Sequence, residues 1–175
     1  NPCRLRAVQL LATNDSVIRE AAVVITLDVP NYFAPQWKKE LKLAVAAAGQ
    51  EKMKDEEFAA AVNAIQSWDG EFTAEATATA VYKFWRLKCG DRLDLKPLIG
   101  GGHLSADDQA QALELLSETI AEMKSKYGRW DVAWGEIHKV GRGGKYYPVG
   151  GAEFRSGPKE ANFSETLFDV NTKED

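Results

Sequence analysis

Few side chains in this 175-residue sequence are equipped for chemistry, and their spacing decides what they could do. Glu136 and His138 stand two apart in Trp134-Gly-Glu-Ile-His-Lys-Val140, a run that alternates bulky apolar with polar or small residues. That period predicts a half-buried strand, which would turn both groups to one face. A metal ion would need further ligands, and the one other histidine is His103, so no metal site is expected. Cys3 and Cys89 are either two separate thiols or, in an oxidising compartment, a disulfide, and their spacing is not that of a zinc module. Gly141-Arg-Gly-Gly-Lys145 has the glycines and the cation of a phosphate loop. It lacks the Gly-x-x-x-x-Gly-Lys-Ser/Thr spacing and reads as a hairpin turn. Asp107-Asp108 and Asp55-Glu-Glu57 fall where helices should begin, and carboxylates there complement the helix dipole rather than form an acid/base pair. Glu118, Glu122, Lys124 and Lys126 read as a solvated helix face. No residue is assigned a catalytic or cofactor-binding role.

The clearest positioning element is Ser105–Tyr127. Leu113, Leu116, Ile120, Met123 and Tyr127 recur at steps of three and four, the stripe of an amphipathic helix. Ser105 with Asp108 resembles a capping box, and Gly128 stands where a left-handed C-cap needs no Cβ. Past it lie Trp130 and Trp134, aromatic side chains that each stabilise by about 2–3 kcal/mol when buried. They pack in a core or an interface, or they line a pocket for a sugar or acyl group. Lys145-Tyr-Tyr-Pro-Val149 returns from the turn as a second strand, which Pro148 confines to an edge or ends.

Upstream, Leu5, Val8 and Leu11 have helical spacing. Val23-Val-Ile-Thr-Leu27 has strand propensity, but the longer window places Val17, Ala21, Val24 and Asp28 on one face of a helix that stops before Pro30. A helix should start near Pro35, bury Trp37, Leu41, Ala44, Val45 and Ala48, and end at Gly49. Asp55 should cap another, with Phe58, Val62 and Ile65 inward. After Ser67-Trp-Asp-Gly70, Thr73 should open a helix that Gly90 closes. There Trp68 plugs the joint, Asp69 bonds to amides of the following helix, and Gly70 permits the turn. Asp91–Leu104 reads as a connector. The expected fold is mainly α, with roughly five to six helices and a short C-terminal β-hairpin over residues 1–151, then a polar, partly ordered tail over 152–175.

Composition bounds the partners. The chain is long enough for one core, and 22 basic against 26 acidic residues are interspersed at a net charge of −4. That argues against nucleic acid and anionic membrane surfaces, which call for a basic patch. No apolar run is long enough to span a bilayer, and no secretion signal is present in these residues.

A resemblance now enters. Tyr127-Gly-Arg-Trp-Asp-Val-Ala-Trp-Gly-Glu-Ile-His-Lys-Val140 followed by Tyr147-Pro-Val-Gly-Gly151 resembles a signature segment of the penicillin acylase (penicillin amidase) family, nearest to its acyl-homoserine lactone acylase branch. Arg6-Ala7 with Leu10-Leu11, and a helix followed by Trp68-Asp69-Gly70 and an alanine-rich helix ending in Phe84-Trp85, match the same family. Its motif residues here are Trp68, Asp69, Gly70, Trp130, Asp131, Trp134, Gly135, Glu136, Pro148, Gly150 and Gly151. Arg4 stands one place away from a basic residue of the family pattern and receives no role.

The resemblance implies the helical portion of an αββα N-terminal nucleophile hydrolase, an interior segment of its β chain. Such enzymes cleave the amide of N-acyl substrates through an acyl-enzyme, with a hydroxyl or thiol on the first residue of a mature chain and its α-amine as base. Asn1 offers neither, and no Gly-Ser, Gly-Thr or Gly-Cys step occurs, so the nucleophile is expected elsewhere and the segment inactive alone. The family's calcium site would likewise lie outside it. Its partners would be the remainder of the acylase chains and a small N-acyl substrate, in a bacterial periplasm or outside the cell. Exposed apolar surface on the segment leaves self-association open. The alternative from another class is a stand-alone helical binding module that has lost catalysis.

Overall fold

The computed structural model describes residues 2–12, 18–49 and 51–152, with side chains in the first helix from Arg6 onward. Expectations for Cys3, Val17 and the tail beyond Ala152 lie outside the described residues. In chain order come α1 (Pro2–Ala12), α2 (Arg19–Thr26), α3 (Ala34–Ala48), a 3₁₀ turn (Lys52–Lys54), α4 (Glu56–Ser67), α5 (Ala78–Arg92), α6 (Lys96–Ile99), α7 (Ala106–Tyr127), α8 (Trp134–Ile137), β1 (Lys139–Arg142) and β2 (Lys145–Pro148). Since α6 and α8 are single four-residue turns, the described residues form six longer helices, and the fold is mainly α with a hairpin after them. None of the described helices is long and apolar enough to cross a membrane. Two compact units are formed: Asn1–Ala34 with Asp69–Ala76 and Ala133–Asp175, and Pro35–Trp68 with Thr77–Val132.

The second unit is a helical core. Ser105 caps α7 by accepting the Asp108 N–H at 3.1 Å, while its hydroxyl donates to the Asp108 carboxylate at 2.7 Å. The reciprocal half of the capping box thus runs through the hydroxyl, because an Asp side chain is one methylene shorter than Glu. Gly128, at φ +80°, ends the helix with its N–H on the Lys124 carbonyl. Leu113, Leu116, Ile120 and Met123 are buried as the periodicity predicts; Ala112, Leu115 and Thr119 widen the stripe. It packs on α5, where nine of fifteen residues are buried, the profile of a central helix. Trp85 pins the layer by donating Nε1–H to the Ala112 carbonyl at 2.8 Å, and it meets Trp37 of α3 edge-on at 5.5 Å. Asp55 caps α4 through Glu57 and Phe58 N–H, and Phe58, Ala61, Val62 and Ile65 face inward.

Two of these helices, α3 and α5, depart from the predicted reading. The expected α3 stripe ends at Ala44, with Val45 half-buried and Ala48 exposed. The helix expected from Thr73 begins only at Ala78, since the carbonyls of Ala74 and Ala76 accept N–H groups of Gly135 and Trp134 and cannot start a helix. It then runs past Gly90 to Arg92, because a glycine near a helix end costs at most about 1 kcal/mol and buried Cys89 holds the turn.

In the first unit, α2 is a helix, but it buries no residue and the predicted face is rotated. Val24 is exposed, while Ala21, Ile25 and Asp28 are partly covered. Arg6 of α1 donates to both Asp28 carboxylate oxygens, at 2.8 and 2.9 Å, which fixes that orientation and raises the Arg6 pKa. Val29–Asn31 then runs antiparallel to Gly70–Phe72 through Asn31 N–H to Gly70 O and Phe72 N–H to Val29 O.

Candidate functional site

Trp134-Gly-Glu-Ile137 is one helical turn, α8, where the alternation predicts a strand. Ala133 donates its N–H to the Glu136 carboxylate at 3.1 Å, and His138 N–H reaches back to the Trp134 carbonyl at 2.7 Å. Capping and a closed turn override a two-residue alternation too short to specify a strand. Glu136 is therefore exposed and His138 is buried, rather than both on one face. The ladder starts at Lys139, pairs Val140 with Tyr147, and continues past β2 through Val149 N–H to His138 O. Gly143 and Gly144, both at positive φ, make its two-residue turn. Gly141 lies in β1, where an added Cβ would stand 2.0 Å from the Lys145 carbonyl oxygen.

Around α8 the motif residues converge on Phe72–Ala76. Trp134 N–H donates to Ala76 O and Gly135 N–H to Ala74 O, at 3.0 and 2.7 Å. The Trp134 indole N–H donates to Gly151 O at 2.8 Å, and Gly151 N–H donates to Phe72 O at 2.8 Å. Phe72 meets the Trp134 ring edge-on at 5.7 Å, and the His138 ring stacks on it at 4.6 Å. His138 donates Nδ1–H to the Val149 carbonyl, which sets its tautomer. Steric contacts explain the glycines. A Cβ on Gly135 would stand 2.7 Å from the Pro148 Cβ and 2.9 Å from that of Ala74; one on Gly150 would stand 2.7 Å from the Phe72 carbonyl oxygen. Trp134, Gly135, Pro148, Gly150 and Gly151 are thus one joint, closed by backbone hydrogen bonds and excluded Cβ atoms.

The other motif residues are not part of it. Trp68 is buried against Tyr82, with ring centroids 4.8 Å apart, and its carbonyl accepts from Lys38. Asp69 is exposed and accepts the Glu71 N–H at 2.8 Å, an Asx turn rather than the predicted bond to the following helix, whose start lies further on. Gly70 needs its φ of +91°, which permits the turn as expected. Trp130 and Asp131 are half-buried, and the Asp131 carboxylate lies 3.7 Å from Arg129.

Sequence reading missed one buried carboxylate. Glu40 of α3 accepts the Leu104 N–H at 3.0 Å and lies 2.6 Å from His103 Nδ1, anchoring the connector before α7. Its signal was a glutamate three residues after Trp37 and one before Leu41, inside the apolar stripe. Cys89 is a free, buried thiol whose pKa burial pushes up to about 12, the reverse of an activated nucleophile. Ser67, Ser117 and Thr119 donate their hydroxyls to carbonyls one turn back in their own helices. An open groove of about 350 Å³ between α4 and α7 is lined by Phe58 and Ile120 and bridged by the Lys124–Glu57 ion pair. Among the described residues no cluster of three or more His, Cys, Asp or Glu is arranged to hold a metal ion.

The motif side chains are used in packing rather than gathered into a reactive cluster. A family model for penicillin amidase matches residues 4–172. The chain belongs to the penicillin amidase family, a family of amide hydrolases. Comparison with curated proteins found no match.

Proposed function

We propose that this chain is the helical scaffold of an acylase that hydrolyses the amide of N-acyl substrates, acyl-homoserine lactones or the side chains of β-lactams. In that enzyme a hydroxyl or thiol on other polypeptide attacks the amide carbonyl. Its proton passes to the α-amine base and then to the departing amine, and water later releases the acid from the acyl-enzyme. Residues 1–175 supply the helices and the Trp134 joint that brace the reactive part, and they carry no catalytic group. The enzyme acts in the periplasm or outside the cell. The observation that supports this reading is the family match over residues 4–172, together with motif residues engaged in packing.

The test is an assay of the isolated 175-residue chain for homoserine lactone release and for penicillin G hydrolysis. Neither product should form above the rate of a heat-denatured control. Turnover that survives repurification would place the nucleophile within these residues and overturn the proposal.

A further inference from the structure

Among the described residues, the charge on the β1–β2 hairpin meets no carboxylate. No Asp or Glu occurs between Ile137 and Ala152, while Lys139, Arg142 and Lys145 lie within seven positions of one another. All three are exposed, and among the described residues none of them makes an ion pair. Elsewhere in this acidic chain Arg6, Lys52, Lys88, Arg92 and Lys124 each meet a carboxylate.

The register sharpens the point. Arg142 stands opposite Lys145, and Val140 opposite Tyr147. Directly paired residues of a hairpin share a face, with Cβ atoms about 4.5–5.5 Å apart, so two cations are held side by side. Like charges in that position destabilise a hairpin. The ribbon tolerates the repulsion because its base is tied through Val149–His138, Gly135–Pro148 and the Trp134 joint. A carboxylate between Arg142 and Lys145 would turn the repulsion into two charge-assisted bonds. Tyr147, 63% exposed on the same face, offers an apolar ring with a polar tip beside it.

We propose that the hairpin face formed by Val140, Arg142, Lys145 and Tyr147 docks an acidic peptide segment in extended conformation. Two features favour a peptide over a nucleic acid. Among the described residues β1 pairs only with β2, and its other edge presents the Gly141 N–H and carbonyl outward, next to the hydrogen-bonded pair that flanks the turn, so a strand can add there. Two cations on this face of a protein of net charge −4, with Lys139 on the other, make a local site for a few carboxylates, not the broad basic surface that phosphate backbones need. The proposal stands independently of the hydrolase reading.

The test uses the full chain and a fluorescein-labelled peptide of alternating Glu and Thr, read by anisotropy at low and high salt. Binding should be saturable and should weaken at least tenfold between 50 and 300 mM salt, as screened charge pairs do. Arg142→Glu and Lys145→Glu should each weaken binding at least tenfold. Each converts the like-charge pair into an opposite-charge pair, so the melting temperature should hold or rise, which separates lost docking from lost folding. Lys39→Glu, at an exposed position on α3, should change binding less than twofold. Four results would overturn the proposal: no saturable binding at low salt, equal binding of the Gln-for-Glu peptide, full binding by both charge-reversed variants, or preferential binding of a labelled single-stranded oligonucleotide at the same site.

Discussion

The α5–α7 layer and the Trp134 joint are both buried and both anchored by a tryptophan, but they are held together in different ways. In the layer, Leu113, Leu116, Ile120 and Met123 of α7 fill space beside α5, and one indole N–H, that of Trp85, fixes the register. Adhesion there comes from apolar volume, which neighbouring side chains can redistribute. In the joint, short backbone hydrogen bonds bring Phe72–Ala76 against α8 and Gly150–Gly151 so closely that no Cβ fits at Gly135 or Gly150. Adhesion there comes from shape. Helix packing should therefore be forgiving and the joint should not.

The largest losses should come from the two anchors. Trp85→Ala and Trp134→Ala should each cost about 3–5 kcal/mol in urea unfolding, since both remove a buried indole and its hydrogen bond to a carbonyl. A loss below about 1 kcal/mol at Trp134 would mean that the joint does not hold its unit together.

Next in size is the response to alkali. The Cys89 thiol has its pKa raised to about 12 by burial, and Tyr82 is raised in the same sense by the same cause. A raised acid contributes stability that is complete below its unfolded pKa and lost as pH climbs toward its folded one. Urea midpoints should therefore hold up to about pH 9 and fall between about pH 9 and 12. Cys89→Ala should shallow that fall. An unchanged slope would remove Cys89 from the account.

The comparison between the regions is decided most directly by small changes of volume. Gly135→Ala should cost about 1–3 kcal/mol, while the volume-conserving Leu116→Ile should cost less than about 1.5 kcal/mol. Equal losses, or a larger one at Leu116, would break the contrast between forgiving and rigid packing. Smallest of all, Asp55→Ala should lower stability by about 1 kcal/mol through the lost cap on α4, seen as a small shift in thermal midpoint.

Much was legible before any coordinates. The α7 stripe, its Ser105 cap and its Gly128 stop follow from local rules acting over one or two turns, and they appear where the spacing puts them. The Asp55 cap and the Gly143-Gly144 turn are of the same kind. The motif tryptophans and glycines could be named as a set, but what they do could not. Residues 72–76 and 134–151 are far apart in sequence, and nothing local announces that Ala74 and Ala76 give their carbonyls to Gly135 and Trp134. For that reason local pattern alone puts the start of α5 five residues early and gives α8 the period of a strand.

The sequence by itself determined that the longer segments are helical, that Ser105 and Asp55 cap two of them, and that the chain carries the family's motif residues. Only the tertiary structure decided that Trp134, Gly135, Pro148, Gly150 and Gly151 meet on one short stretch, and that Glu40 is buried under the connector. Helices are written in contacts three and four residues apart, so one segment suffices to read them. Close approach between distant backbones depends on both partners at once, and no single stretch of sequence contains it.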